Sequence, residues 1–213
     1  MTRWRIVLVA LWALAWLVWA LVQIGVVEAQ DKVERVIVVR GVQMPASLVL
    51  VVDRSGSMVG PKYIRACYEA KRIAEQAGDG ARVKFVAFAQ DVEFYESGAW
   101  IELPNAEELF IADAWMRTRA VYGLTHAVGA MASVLEKDKD QAIGVVLITD
   151  AHPTDADSVE VAASTIVGLN AARKVPAVIG VLSVDADAQD DDFGLIVAKG
   201  AGGAYVRTRA RQK

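Results

Sequence analysis

An aspartate and two serines, Asp53, Ser55 and Ser57, stand at alternate positions directly after the apolar run Leu48-Val-Leu-Val-Val52. One carboxylate and two hydroxyls on a single turn offer hard oxygen donors without thiol or imidazole. Such a set suits Mg²⁺ or a similar cation (Mn²⁺, Ca²⁺) better than zinc. Gly56, between the serines, lets the backbone turn tightly enough for both to face one point. Two further segments are built alike. Ile143-Gly-Val-Val-Leu-Ile-Thr-Asp150 is another apolar run ending in a carboxylate, and Gly123-Leu-Thr125 sets a hydroxyl where a loop passes into a helix. Asp53, Ser55, Ser57, Thr125 and Asp150 together supply two negative charges and three neutral oxygens. That fits a divalent cation that keeps waters or a partner's oxygen in its sphere. The plain alternative makes the aspartates strand-end turn residues and the hydroxyls helix caps. It suits any one segment alone; three such segments in this order favour a metal site.

These residues need a scaffold that brings distant loops to one edge. Five apolar residues in a row, as in Leu48 to Val52, read as a strand buried on both faces, which is the habit of parallel sheets. Amphipathic helices alternate with such strands. A helix is expected over Tyr63 to Ala77, stopped at Gly78-Asp79-Gly80, then a strand over Val83 to Ala89 that Val92 to Tyr95 could pair with, and a short strand over Trp100 to Leu103. Asn105 caps a helix over Ala106 to Arg117, and Leu124 to Leu135 reads as the next helix. Asp157-Ser-Val-Glu160 starts a helix running to about Arg173, Val175 to Val184 is a strand, Asp192 to Lys199 a helix, and Ala204 to Thr208 a last strand. The pattern is α/β: a Rossmann-like, doubly wound, mostly parallel sheet with helices on both faces. In such sheets ligands bind beyond the carboxyl ends of the strands.

The chain resembles a von Willebrand factor type A domain carrying a metal-ion-dependent adhesion site. Asp53-Arg-Ser55-Gly-Ser57-Met58 matches the family's first motif, Thr125 the second and Asp150 the third. The resemblance covers Ala46 to Arg207 and includes Gly200 to Val206, which is similar to the family's closing helix-to-strand passage. It implies a divalent-cation-dependent binding module in which the serines and the threonine approach the metal directly while the aspartates act partly through water. It also implies a protein partner whose acidic side chain completes the sphere. Leu124 stands where a second glycine is common before the threonine, and Ala151 where glycine often follows the last aspartate.

The first 29 residues are of a different composition. Arg3 and Arg5 precede Ile6 to Val22, an unbroken apolar run that continues to Val27 with one polar interruption. A helix over Ile6 to Val27 would be about 33 Å long, enough to span a bilayer. Two readings stay open: a signal peptide cut after Ala29, or an uncleaved transmembrane anchor, which the length favours because signal cores run to about 7–15 residues. Both place the rest of the chain outside the cytoplasm, as an anchored domain or as a secreted or periplasmic one. Residues 30–45 read as a linker with an edge strand at Val36 to Val39, residues 46–207 as the domain, and 208–213 as a basic tail.

A net charge of −3 gives no nucleic-acid footprint. The single Cys67 excludes an intrachain disulfide and shares a helical face with Ile64, Ala70, Ile73, Ala74 and Ala77, which points to burial. His126 and His152 lie beside the candidate ligands, without the third and fourth nitrogen or sulfur donors that zinc needs. Asp185, Asp187 and Asp190 to Asp192 lack the calcium-loop glycine and terminal glutamate, and suit a solvated loop ahead of a helix. Catalysis has little to stand on. Phosphatases of the haloacid-dehalogenase type place an aspartate where Ser55 stands, and Ser55 cannot serve as their general acid. Nor is there a nucleophile elbow. The expectation is a non-enzymatic, exported binding or adhesion module. The alternatives are a subunit of a membrane-associated envelope complex working with an ATPase or another partner and, behind it, a metal-dependent hydrolase.

Overall fold

A computed structural model of the protein describes residues 36–150, 153–185 and 191–208. The apolar N-terminal run, Ala151, His152, Asp187, Asp190 and the tail beyond Thr208 lie outside them. The chain divides into two units, 1–34 and 35–213, and all that follows concerns the second. Its elements are β1 (Val36–Val39), β2 (Val42–Pro45), β3 (Ser47–Asp53), α1 (Pro61–Ala77), β4 (Arg82–Phe88), β5 (Val92–Phe94), β6 (Ile101–Glu102), α2 (Ala106–Arg117), α3 (Ala127–Lys137), β7 (Gly144–Thr149), α4 (Val159–Ala171), β8 (Val178–Val184), α5 (Asp191–Gly200) and β9 (Gly202–Thr208). Among the described residues no helix is long and apolar enough to cross a membrane.

The main sheet has seven strands. β4, β3, β7, β8 and β9 lie side by side in that order and parallel, while β5 and β6 both pair antiparallel with β4. This is the doubly wound, mostly parallel sheet expected from the alternation of strands and helices. Strand β3 shows why its sequence is apolar throughout. Leu48, Leu50 and Val52 join the core under α1 and α2, whereas Val49 and Val51 join the core under α3, α4 and α5. From β3 the chain winds to β4 on one side, and from β7 to β8 and β9 on the other. The winding direction therefore reverses between β3 and β7, the place at the carboxyl ends of the strands where doubly wound folds form their ligand crevice.

Local differences from the sequence expectation each have a physical reason. The segment before Ala46 is a hairpin, with β1 paired to β2 through Arg40 and Gly41, both at positive φ as a tight two-residue turn requires. Its Val39 and Met44 side chains are buried in the domain core. Met44 lies over Gly144 and Gly180, where added Cβ atoms would come within 3.1 Å and 2.8 Å of it. Helix α1 buries Tyr63 rather than Ile64, which is 59% exposed; the Tyr63 hydroxyl donates to the Met116 carbonyl at 2.7 Å. Helix α3 begins at Ala127, three residues later than Leu124, because nearby backbone groups are engaged by other loops. The Gly123 carbonyl accepts from Gly56, and the His126 amide donates to Ala89. Ser158 rather than Asp157 caps α4, accepting the Val161 amide at 3.3 Å. β8 begins at Val178 because the Asn170 side-chain amide takes both backbone groups of Ala177, at 2.8 Å each. Arg207, at the end of the expected domain, pairs with Asp191 at 3.4 Å.

Candidate metal centre

Asp53 closes β3 and Asp150 follows the last residue of β7. The register that sets Val52 opposite Ile148 carries on to bring Asp53 beside Thr149, so the two carboxylates flank the reversal point of the sheet. Asp53 is fully buried and both of its oxygens are engaged. Oδ1 accepts the Ser55 amide at 2.8 Å and Oδ2 accepts the Thr149 hydroxyl at 2.6 Å. The Ser55 and Ser57 hydroxyls lie 3.1 Å apart, and the Ser57 hydroxyl donates to Asp150 Oδ1 at 3.0 Å. The Lys62 ammonium donates to Asp150 Oδ2 at 2.9 Å.

Asp53, Ser55, Ser57 and Asp150 thus form one linked cluster, and the loop leading to Thr125 is tied to it two residues upstream, at Gly123. The Gly56 amide donates to the Gly123 carbonyl at 2.9 Å, and the Thr125 carbonyl accepts the Thr154 amide at 2.8 Å. A Cβ on Gly56 would sit 3.3 Å from the Gly123 carbonyl oxygen, so the glycine permits this approach of the two loops. Thr125 itself is buried. His126, half-buried, holds the start of α3 with its backbone amide.

Electrostatics in the crevice favour incoming positive charge. Burial pushes the Asp53 carboxyl up to about 6, the Asp150 charge adds to the effect, and the hydrogen bonds from Thr149 and Ser55 oppose it. A cation that supplied positive charge here would relieve that penalty. The linked donors, two carboxylates and the Ser55 and Ser57 hydroxyls, are compatible with a hard divalent ion. Hydroxyl oxygens would have to share in holding it, since no three His, Cys, Asp or Glu side chains come together among the described residues.

Motif spacing alone does not single out Arg54. It is 1% exposed, between the two halves of the first motif. Its guanidinium donates to Asp91 and Glu93 at 2.7 Å each and to the Ala120 carbonyl at 2.9 Å, and lies 4.9 Å from the Tyr122 ring centre. It ties the β4–β5 turn and the loop before Thr125 to the first motif. The one sequence signal for it is acidic residues spaced across the β4–β5 turn, and those lie far along the chain.

No protein-family model matches the sequence, and no curated protein matches it. Solved structures do. A von Willebrand factor type A structure from Catenulispora acidiphila is similar at a TM-score of 0.62 with 16% identity, over 79% of this chain and 39% of that one. The conserved hypothetical protein BatB from Bacteroides thetaiotaomicron is similar at 0.52 with 17% identity, over 76% of this chain and 90% of that one. The manganese-loaded Plasmodium vivax TRAP protein is similar at 0.52 with 19% identity, over 78% of this chain and 64% of that one. This protein therefore has the fold of von Willebrand factor type A domains.

Proposed function

We propose that the domain is a non-enzymatic binding module that takes a divalent cation, Mg²⁺ or Mn²⁺, at Asp53, Ser55, Ser57, Thr125 and Asp150. The cation in turn receives an acidic side chain from a protein partner. The observation that carries this reading is the hydrogen-bonded convergence of Asp53, Ser55, Ser57 and Asp150 in the β3–β7 crevice, with the Thr125 loop held against it. A manganese-loaded protein among the structures of similar fold supports it. The ion, when bound, supplies an open coordination position; the chain's own residues hold and orient it. Asp53 sets the loop through the Ser55 amide and Thr149. Ser57 fixes the Asp150 carboxylate, and Gly56 brings the two loops together. The apolar N-terminal run supports a domain held at a membrane, or released, outside the cytoplasm.

Pull-down of partners from native membranes with Mg²⁺ and with EDTA tests metal and partner together. A partner retained only with the cation is the expected result. A partner held equally in EDTA would move the binding surface away from this site. N-terminal sequencing separates a cleaved leader, starting at Gln30, from an anchor.

A further inference from the structure

The carboxylate that a cation would need at this site already carries a positive partner. Lys62 is the second residue of α1, directly after Pro61, and its ammonium donates to Asp150 Oδ2 at 2.9 Å. The Lys62 side chain is 34% exposed and that of Asp150 only 6%, so the lysine reaches in from solvent to a group held inside the crevice. The other Asp150 oxygen is taken by the Ser57 hydroxyl, which links the lysine to the serine pair. Arg54, although adjacent to Asp53, does not serve this purpose, because its guanidinium is committed to Asp91 and Glu93. Two carboxylates in one crevice repel each other, and a lysine is well suited to neutralise one of them reversibly. Its charge is compact and sits on a flexible four-carbon stem.

We infer that Lys62 is a built-in counter-ion of this site, which holds Asp150 in the cation-free protein and competes with the divalent cation for it. The inference rests on the cation-binding reading above. A bound ion would either displace the ammonium from Asp150 or bear its like charge close by, and both lower the affinity. The ion pair also keeps Asp150 aimed at Ser57 when no cation is present, so the loop geometry survives unloading. An ion pair between a half-exposed and a buried group accounts for about a tenfold change in an equilibrium constant, about 1.4 kcal/mol.

The test is calorimetric titration of Mn²⁺ into the whole protein in mild detergent, into Lys62→Met, which keeps the stem and removes the charge, and into Lys62→Arg, which keeps the charge. The methionine variant is expected to bind Mn²⁺ about tenfold more tightly than the unmodified protein, and the arginine variant within about twofold of it. Binding by the methionine variant alone would support the inference equally. Unchanged or weaker binding in that variant, beside clear binding by the unmodified protein, overturns the inference and leaves the cation reading intact. Silence in all three proteins overturns both. Melting curves in EDTA check that Lys62→Met is folded, with Lys62→Gln as the second charge-free variant.

Discussion

Replacing Asp53 by asparagine removes a buried charge while keeping its shape, and its consequence can be worked out with a sign and a size. In the folded chain the carboxyl titrates near 6 instead of the ordinary 3.8, because burial disfavours its charged form. The folded state therefore holds its proton more tightly than the unfolded state does. Below about pH 4 both states are protonated and Asp53 carries no penalty. As pH rises toward 6 the unfolded chain ionises first, and stability falls until the folded form ionises too. About two pH units at roughly 1.4 kcal/mol each make a loss of about 3 kcal/mol between pH 4 and 7. Asparagine has no such titration. It can keep the bond from the Ser55 amide, and its own amide can donate to the Thr149 hydroxyl oxygen, as a protonated carboxyl can. In EDTA, Asp53→Asn should thus be about as stable as the unmodified protein at pH 4 and about 3 kcal/mol more stable at pH 7. Urea melts followed by tryptophan fluorescence at pH 4, 5, 6 and 7 measure both. Saturating Mg²⁺, at about a hundred times its Kd, should restore about 2.7 kcal/mol to the unmodified protein at pH 7 and nothing to the variant. Parallel stability curves for the two proteins from pH 4 to 7 would refute the reasoning.

Thr125→Ala removes one neutral oxygen and keeps both carboxylates. Calorimetry should show weaker but measurable Mn²⁺ binding, with a larger loss in partner retention on the same pull-down. Arg54→Met leaves half-exposed Asp91 without its cation, leaves Glu93 with Arg119 alone, and unties the loop before Thr125. It should cost about 2–3 kcal/mol in urea melts, less than a fully buried pair because water reaches both acids. Cys67 is fully buried and burial pushes its thiol up to about 11. Alkylation at pH 8 should be negligible in the native protein and complete in urea, as mass spectrometry will show.

Much of this protein was legible in its sequence because local patterns report burial directly. Leu48 to Val52 is apolar at every position, and so short a run closed by turn residues suits a strand covered on both faces, which pointed to a parallel sheet. The Asp53, Ser55 and Ser57 turn was equally plain, since neighbouring residues on one loop stay neighbours in any fold, and Asn105 was recognisable as a cap because its partner Glu108 is three residues away. Other features depended on which distant loops meet. The hairpin at Val36–Pro45 earns its place by laying Met44 over two glycines in different strands. Helix α3 starts late because Gly56 and Ala89 claim the backbone ahead of it. Arg54 finds Asp91 and Glu93, and Lys62 finds Asp150, only after the order β4-β3-β7 has set their loops side by side. Hydrophobic periodicity is a property of a few consecutive residues, whereas an ion pair across the sheet depends on strand order. Sequence alone therefore marked which residues could hold a cation, and the tertiary structure decided which charges already stand beside them.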